Sequence, residues 1–165
     1  MDEEEALKKA RNMVLRLLSY RARSKKELAD YLEKKGFSEK LARRIIKEME
    51  KFGYINDEKF AVDYIETQKA RGYGIKKVRY ELYLKGISER IIEQIISDFF
   101  DPEEDLERIK ALLRRRSSKN TGFNITSEPE EKKQRRFRRE ANFLQRRGFQ
   151  DDLIMKALKN CNFIE

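Results

Sequence analysis

The amino-acid sequence predicts an all-helical fold, on three observations. First, its 165 residues include only 2 prolines and 7 glycines, which is too few helix-breaking residues for a turn-rich β fold. Second, lysine, arginine, glutamate, leucine and isoleucine dominate the composition, and most of these residues favour helix formation. Third, apolar residues recur at steps of three and four positions through most of the chain, which is the spacing of one helix face.

Three segments of the chain can be aligned on one another, which predicts a repeat architecture. They begin at Leu32, Leu82 and Leu144, and each carries a glycine four positions later, followed by apolar positions that also superpose. A three-helix unit of about fifty residues buries too little surface to be secure alone, so neighbouring units must share contacts. We therefore expect an all-α fold of three tandem three-helix repeats forming an elongated, curved body. The expected repeats are residues 1–53, 54–100 and 101–165.

The first repeat is predicted to contain three helices. They cover Ala6–Tyr20, Lys25–Lys35 and the stretch from Ser38 to about Phe52. Acidic residues precede the first helix, where the helix dipole favours negative charge. Ser24 is followed three positions later by Glu27, which is the pattern of a capping box. Gly36 is the expected left-handed residue at the end of the second helix.

The second repeat is predicted to have the same arrangement of three helices as the first. Its helices are predicted from Asn56 or Asp57 to Gly72, over Ile75–Lys85, and over Glu89–Phe100 after the cap Ser88. Asp57 with Asp63 resembles a pair of catalytic carboxylates, but Asp57 is interpreted as a helix cap. Gly72 and Gly74 interrupt the helical pattern. They are not interpreted as a phosphate-binding loop, because no strand precedes them and the later glycine of that motif is missing.

The third repeat differs from the other two by an insertion. Asp101 and Pro102, followed by acidic residues, form a strong signal for the start of a helix. Residues 117–128 are polar and are expected to form a flexible loop, which accounts for the longer spacing to the third glycine. A long helix is predicted from Pro129 to Gly148. A last short helix opens at Asp151 or Asp152.

Positive charge is concentrated towards the C-terminal part of the chain. The formal net charge is +9, and residues 108–147 alone carry 14 basic and 4 acidic side chains. Arginine presents a bidentate donor fork that fits phosphate oxygens, so this excess indicates contact with DNA or with an acidic protein face. The alternative is a solvated helix face with intrahelical ion pairs. The candidate binding residues are Lys25, Lys26, Arg43, Arg44, Arg71, Lys76, Lys77, Arg114, Arg115, Arg116, Lys132, Lys133, Arg135, Arg136, Arg138, Arg139, Arg146 and Arg147.

The composition argues against an enzyme, a metal site and a cofactor site. The chain contains no histidine, which removes the commonest general base and the commonest zinc ligand, and its one cysteine is Cys161. Cys161 aligns with the core positions Met49 and Phe99 and is expected to be a buried packing residue. The acidic N-terminal sequence is unlike a signal peptide, and the apolar runs are too short to span a membrane. We therefore expect a cytoplasmic protein.

Two further patterns leave alternatives open. The helix–turn–helix spacing of residues 24–52 is compatible with an independent DNA-binding protein or transcription regulator, although the same unit recurs three times. Five tyrosines are able to stack on bases, but most of them are interpreted as packing residues in the core or between repeats. They are Tyr54, Tyr64, Tyr73, Tyr80 and Tyr83.

The stretch from Phe52 to Ser88 is similar to the signature of the RecX family. Its marks are Gly53-Tyr54-Ile55-Asn56-Asp57, Phe60-Ala61, Gly72 and Gly74, Glu81-Leu82, and Lys85-Gly86-Ile87. The segment from Arg146 to Phe149 resembles the third repeat of that family, so the resemblance covers nearly the whole chain. Asn56 stands where the family usually has an acid, and both residue types cap helices.

The resemblance implies a cytoplasmic bacterial regulator of the RecA recombinase, built from three tandem three-helix repeats. Such proteins bind in the groove of the RecA filament on single-stranded DNA. There they inhibit ATP hydrolysis and strand exchange, in homologous recombination, DNA repair and the SOS response. The implied partners are the RecA nucleoprotein filament and single-stranded DNA, with duplex DNA as a further partner. A monomer without membrane contact is expected.

Overall fold

The computed structural model describes residues 3–118 and 129–160, and all regular secondary structure within these ranges is helical. The prediction of an all-helical fold is therefore confirmed there. In chain order the helices are α1 (Glu3–Tyr20), α2 (Lys25–Lys34), α3 (Glu39–Lys51), α4 (Asp57–Ala70), α5 (Ile75–Leu84), α6 (Glu89–Phe99), α7 (Pro102–Ser118), α8 (Glu130–Arg146) and α9 (Asp151–Asn160). Helix α7 continues through the first two residues of the predicted loop. The remainder of that loop, 119–128, and Cys161 lie outside the described residues.

Side-chain oxygens cap helix N-termini where the sequence indicates. The predicted capping box is present at the start of α2. At the start of α4, the Lys59 amide donates to the Asn56 side chain at 2.9 Å, so Asn56 is the cap. The interpretation of Asp57 as the cap is wrong, because Asp57 Oδ1 instead accepts a hydrogen bond from the Lys25 amide at 3.0 Å. Asp57 thus serves the N-terminus of α2 rather than that of its own helix.

The three aligned glycines end helices α2, α5 and α8 in the same way. Their φ angles are +86°, +75° and +80° in chain order, a conformation that other residues rarely adopt. In each turn, the amide after the glycine donates to the carbonyl of the aligned leucine, which is a Schellman motif. The bonds run from Phe37 to Leu32 (3.1 Å), from Ile87 to Leu82 (3.1 Å) and from Phe149 to Leu144 (3.3 Å). The three aligned segments therefore share one local structure.

The aligned apolar positions form the core. Leu32, Leu82 and Leu144 are completely buried. Helix α3 packs against α1 and α2, and α9 packs in the same manner against α7 and α8. A second set of aligned positions is also buried, namely Ile46, Ile96 and Leu158. Helical periodicity in the sequence thus identifies the side chains that hold these helices together.

The chain divides into two compact units. The first comprises Met1–Tyr64 and Glu81–Ile95, and the second comprises Ile65–Tyr80 and Ile96–Glu165. The division runs within helices α4, α5 and α6 and does not follow the boundaries of the three sequence repeats. The three-repeat scheme with its limits at residues 53 and 100 stays a prediction from the sequence.

In the first unit, the turn that ends α5 lies against the N-terminus of α2. Ser24 Oγ donates a hydrogen bond of 2.7 Å to the Lys85 carbonyl, and the Lys85 ammonium pairs with Glu27 at 3.0 Å. A Cβ atom on Gly86 would lie 2.6 Å from Lys26 Cβ, closer than two such carbons can approach. Gly86 is therefore required by this close approach as well as by its positive φ angle.

In the second unit, the turn that ends α8 lies against the N-terminus of α5. The Gly74 amide donates to the Arg147 carbonyl at 2.8 Å, and the Lys76 amide donates to the Gly148 carbonyl at 2.9 Å. A Cβ atom on Gly74 would lie 2.5 Å from the Gly148 carbonyl oxygen. The two bonds satisfy amides at the start of α5 that have no acceptor within their own helix.

The two contacts use corresponding positions of the sequence alignment. Ser24 and Gly74 are 50 residues apart, and Lys85 and Arg147 are 62 residues apart, which are the spacings of the aligned glycines. Each unit therefore contains one glycine turn that meets the start of an earlier helix. We call each of these contacts a glycine-turn junction.

Replacing Gly74 with alanine should lower the free energy of unfolding by about 3 kcal/mol, because the added methyl group meets a backbone carbonyl in a packed junction. Gly53→Ala is the matched control, since a Cβ atom there meets nothing within 4 Å and its φ is +75°. The control should lose about 1 kcal/mol through the positive φ angle alone. Urea unfolding followed by circular dichroism measures both. An equal loss in the two variants would contradict the close packing at Gly74.

Hydrogen bonds at the first junction lower the pKa of Glu27. Burial by itself would raise this pKa, but donors from Arg21, Lys85 and the Ser24 amide outweigh burial and bring it to about 2. The folded state therefore holds Glu27 ionised under conditions in which the unfolded chain, with an ordinary pKa of 4.5, is already protonated. The charged carboxylate stabilises the fold above about pH 4.5, and this contribution is lost as the pH falls towards 2.

Glu27→Gln should be less stable than the wild type at neutral pH, by on the order of 1 kcal/mol, because solvent screens the half-exposed Arg21 partner. The difference between the two proteins should shrink as the pH falls through the window between the two pKa values of Glu27. Thermal melts across the acidic range provide the measurement. A stability difference that does not change with pH would show that the Glu27 charge makes no contribution.

Candidate nucleic-acid interface

The candidate basic residues of the first unit each lie beside an acidic side chain. The pairs are Lys25 with Glu50 (2.5 Å), Lys26 with Asp30 (3.0 Å), Arg43 with Glu39, and Arg44 with Glu3 (3.3 Å). These are surface pairs, each worth at most about 1 kcal/mol to stability. They nevertheless neutralise the local charge, so the alternative of a solvated helix face fits these four residues.

Two arginines of the second unit hold the C-terminal end of α4. Arg147 donates to the carbonyls of Arg71 and Gly72 at 2.8 Å and 3.1 Å. Arg108, which is not among the predicted binding residues, donates to the carbonyls of Lys69 and Tyr73 at 2.9 Å and 2.7 Å. Cationic donors at a helix C-terminus satisfy carbonyls without an intrahelical partner and complement the helix dipole. Both guanidinium groups are thus committed to the fold.

Arg116 joins α7 to α8 through a buried carboxylate. Its Nε lies 2.6 Å from a carboxylate oxygen of Glu140, and Glu140 is only 4% exposed. The Arg116 guanidinium also stacks on Phe143, with its carbon 3.9 Å from the ring centroid. Arg139 binds the second oxygen of Glu140 at 3.0 Å. Because a buried charge needs partners, Arg116 and Arg139 stabilise Glu140 rather than stand ready for a ligand.

Most of the remaining candidates of this unit also have neighbours. The distances are 2.6 Å from Lys76 to Asp151, 4.3 Å from Lys77 to the Tyr73 ring centroid, 3.9 Å from Arg114 to Glu107 and 4.0 Å from Lys133 to Glu130. Arg115, Lys132 and Arg136 make interactions as well. These cations are partly compensated and remain secondary candidates.

The Arg71 side chain is exposed and makes no such interaction within the described residues. It follows α4 and therefore lies apart in the sequence from the candidates on α7 and α8.

Three arginines on α8 remain available. Arg135, Arg138 and Arg146 are exposed, and within residues 3–118 and 129–160 none of them forms a hydrogen bond, an ion pair or a ring contact. At 3.6 residues per turn they lie on one side of the helix, and the outer two are about 16 Å apart along its axis. We call them the α8 arginine row. Their free donor forks are suited to bidentate contact with phosphate oxygens.

The prediction that most of the five tyrosines pack in the core or between repeats is wrong. Tyr54, Tyr80 and Tyr83 are mostly exposed. Tyr64 is half-buried and donates its hydroxyl proton to Glu81 at 2.7 Å, and Tyr73 lies beneath Lys77 and Arg147. Tyr80 and Tyr83 lie on α5 away from its buried positions, so the helical spacing already carried the signal that was missed.

Metal-binding clusters and membrane-spanning helices are both absent from the part of the chain that the structure describes. Residues 3–118 and 129–160 contain no group of three or more acidic, cysteine or histidine side chains placed to hold a metal ion. In the same ranges, no helix is both long enough and apolar enough to cross a membrane.

Two domain families match the chain in succession. The first three-helix domain of RecX matches residues 10–49, and the second three-helix domain of RecX matches residues 56–96. These matched stretches contain all of α2, α4 and α5 and most of α1, α3 and α6.

Several curated proteins named regulatory protein RecX are similar to this chain. The protein of Legionella pneumophila (strain Corby) is 34% identical over 151 residues, which cover 92% of this chain and 93% of that protein. The protein of Caldanaerobacter subterraneus subsp. tengcongensis is 28% identical, covering 92% and 70% respectively. The protein of Bacillus subtilis (strain 168) is 33% identical over 95% of this chain, which spans 56% of that longer protein.

Solved structures support the fold. The crystal structure of RecX from Lactobacillus salivarius superposes with a TM-score of 0.77, covering 98% of this chain and 99% of that one at 23% identity. A crystal structure of regulatory protein RecX superposes with a TM-score of 0.73, covering 96% and 78% at 23% identity. The all-helical architecture is thus shared with experimentally determined structures.

Replacement with alanine should change stability more at an arginine that pairs within the fold than at one of the α8 arginine row. Arg116→Ala should lower the free energy of unfolding by about 2 kcal/mol, because it removes a partner of the buried Glu140 carboxylate. Arg138→Ala is the control on α8 and should stay within about 0.5 kcal/mol of the wild type. Chemical unfolding measures both changes. If the two variants were equally stable, the Arg116–Glu140 pair would have no structural role.

Proposed function

The chain belongs to the RecX family of regulatory proteins, and from this premise we propose that it binds the RecA filament on single-stranded DNA. Bound there, it inhibits ATP hydrolysis and strand exchange by RecA. The proposal places the protein in the cytoplasm, in homologous recombination and DNA repair, as a monomer. The observation that supports a direct DNA contact is the α8 arginine row, with its exposed and uncompensated guanidinium groups.

The α8 arginine row has the chemistry of a phosphate contact. Each guanidinium offers several N–H donors in a plane that matches two phosphate oxygens. Each phosphate neutralised releases a condensed counterion, so such binding is strong at low salt and weakens steeply as salt rises. Contacts of this kind carry no base preference, which suits a regulator that must act on a filament regardless of the DNA sequence within it.

The rest of the basic surface plays a smaller part in this proposal. A cation already paired with an acid must break that pair before it contacts a phosphate, so its net gain on binding is reduced. The first-unit pairs of Lys26, Arg43 and Arg44 are of this kind. They provide a charge-matched control for the α8 arginine row, because three reversals in either place change the net charge equally.

Reversing Arg135, Arg138 and Arg146 to glutamate should weaken inhibition of the RecA ATPase by at least about tenfold. The plot of log affinity for single-stranded DNA against log salt should also lose about 2 units of slope, at 0.7 per phosphate contact. The variant with Lys26, Arg43 and Arg44 reversed should inhibit much more like the wild type. The readouts are DNA-dependent ATP hydrolysis by the cognate RecA, and oligonucleotide binding at several salt concentrations.

The same experiment separates the alternatives. Full inhibition by a folded α8 variant would remove the α8 arginine row from the mechanism. An equal loss of inhibition in both variants would show that inhibition depends on the net charge and not on the position of the arginines. No effect of the wild-type protein on RecA, together with intact DNA binding, would reject the RecA proposal and favour an independent DNA-binding protein.

A further inference from the structure

A groove in the first compact unit combines apolar walls with unpaired cations. It lies between the C-terminal end of α1, the turn before α4 and the first turns of α4, and its volume is about 500 Å³. Every residue that lines it belongs to the first unit. Clefts of this size are typical of sites that bind a ligand. We call it the α1–α4 groove, and its lining includes Leu15, Leu18, Arg23, Tyr54, Lys59 and Phe60.

The apolar part of the α1–α4 groove comes from both of its helices and from the turn. Leu15 and Leu18 of α1 are half-buried, and Phe60 of α4 is buried. Tyr54 of the turn is 58% exposed, so much of its ring is in water. Branched aliphatic and aromatic side chains together offer an irregular apolar surface. Such a surface suits an apolar side chain of a partner protein.

Two cations line the same groove and have no acidic partner. The Arg23 Nε atom is buried, and within residues 3–118 and 129–160 the Arg23 side chain makes no hydrogen bond, ion pair or ring contact. A buried donor without an acceptor costs free energy, which an acceptor on a ligand would recover. The exposed side chain of Lys59 is likewise unpaired in these ranges. Neither residue was among the predicted binding residues.

The acidic residue that lines the α1–α4 groove does not neutralise these cations. Asp63 of α4 has an interaction of its own, in which neither Arg23 nor Lys59 takes part. Two cations against one acid leave the lining with a net positive charge. The groove is therefore complementary to a ligand that joins negative charge to apolar surface.

We propose that the α1–α4 groove docks an acidic segment of a partner protein that inserts a leucine or phenylalanine side chain. A carboxylate of this segment accepts hydrogen bonds from the Arg23 guanidinium, and the inserted side chain packs against Leu15, Leu18 and Tyr54. A nucleobase is a poorer match, because its polar edges would lose water against the two leucines without gaining a partner. The proposal goes beyond the DNA contact of the α8 arginine row and does not depend on it.

The probe is a fluorescein-labelled peptide with leucine and phenylalanine between two short runs of glutamate, and its binding to the full chain is followed by fluorescence anisotropy. Arg23→Met keeps an apolar stem but removes the charge and the donors, so it should weaken binding by at least about tenfold. Lys47→Met on α3 is the matched control, since Lys47 is exposed and outside the groove lining. The control removes the same charge and should stay within about twofold of the wild type.

Urea unfolding separates this role of Arg23 from a structural one. Because Arg23→Met removes an unsatisfied buried donor, the variant should unfold at the same urea concentration as the wild type or at a higher one. A residue that only stabilised the fold would give the opposite change.

The apolar contact is tested at two neighbouring exposed rings. Tyr54→Ala should weaken binding of the same peptide by about fivefold, because the ring loses its contact with the inserted side chain. Phe52→Ala is the matched control, since Phe52 is 63% exposed but does not line the groove. A peptide with serine in place of leucine and phenylalanine, and another with lysine in place of glutamate, should each bind the wild type at least about tenfold more weakly.

Several outcomes would overturn the docking groove. Failure of the wild type to bind the glutamate peptide would reject an acidic ligand. Unchanged binding by a folded Arg23→Met variant would remove Arg23 from the site. An equal loss in Arg23→Met and Lys47→Met would show that the peptide responds to net charge alone. If Arg23→Met and Tyr54→Ala instead lost binding of a labelled oligothymidine and kept binding of the peptide, the groove would be a DNA site.

Discussion

Both compact units depend on a backbone approach so close that a side chain on the glycine would not fit. At one glycine-turn junction Gly86 packs on Lys26, and at the other Gly74 faces the carbonyl of Gly148. In the second junction, backbone hydrogen bonds hold the two segments together. Carbonyls in the turn after α8 accept bonds from amides at the start of α5 that have no acceptor within their own helix. Gly74 and Gly86 of the family signature therefore have a physical reason: the absence of a side chain lets the end of one helix pack against the start of another.

Contacts within the fold explain why arginine content is a poor guide to the ligand site. Arg147 precedes the glycine in the turn after α8, and its guanidinium binds carbonyls at the end of α4. Arg116 is likewise occupied by the buried carboxylate of Glu140. A guanidinium has a fixed number of donors, and those used inside the fold are not available to phosphates. The α8 arginine row differs because its members face no acid or carbonyl in the described part of the chain.

In the proposed function, the α8 arginine row is the part of this protein that contacts DNA. Contacts between guanidinium groups and phosphates depend on salt and ignore base identity. A surface of this chemistry fits a ligand that is recognised by its backbone charge.

The sequence by itself determined the helices, the capping box of α2 and the core positions, because these depend on residues within about five positions of one another. Ser24 with Glu27, and Leu32 with Gly36, carry that information locally. Only the tertiary structure decided which cations stay available and that Asp57 binds the Lys25 amide, 32 positions away, which leaves the cap of α4 to Asn56. The physical reason is distance along the chain: Glu140 lies 24 positions from Arg116, and the carbonyl of Arg71 lies 76 positions from Arg147. No local pattern records such partners, so the free arginines could be identified only after folding had occupied the others.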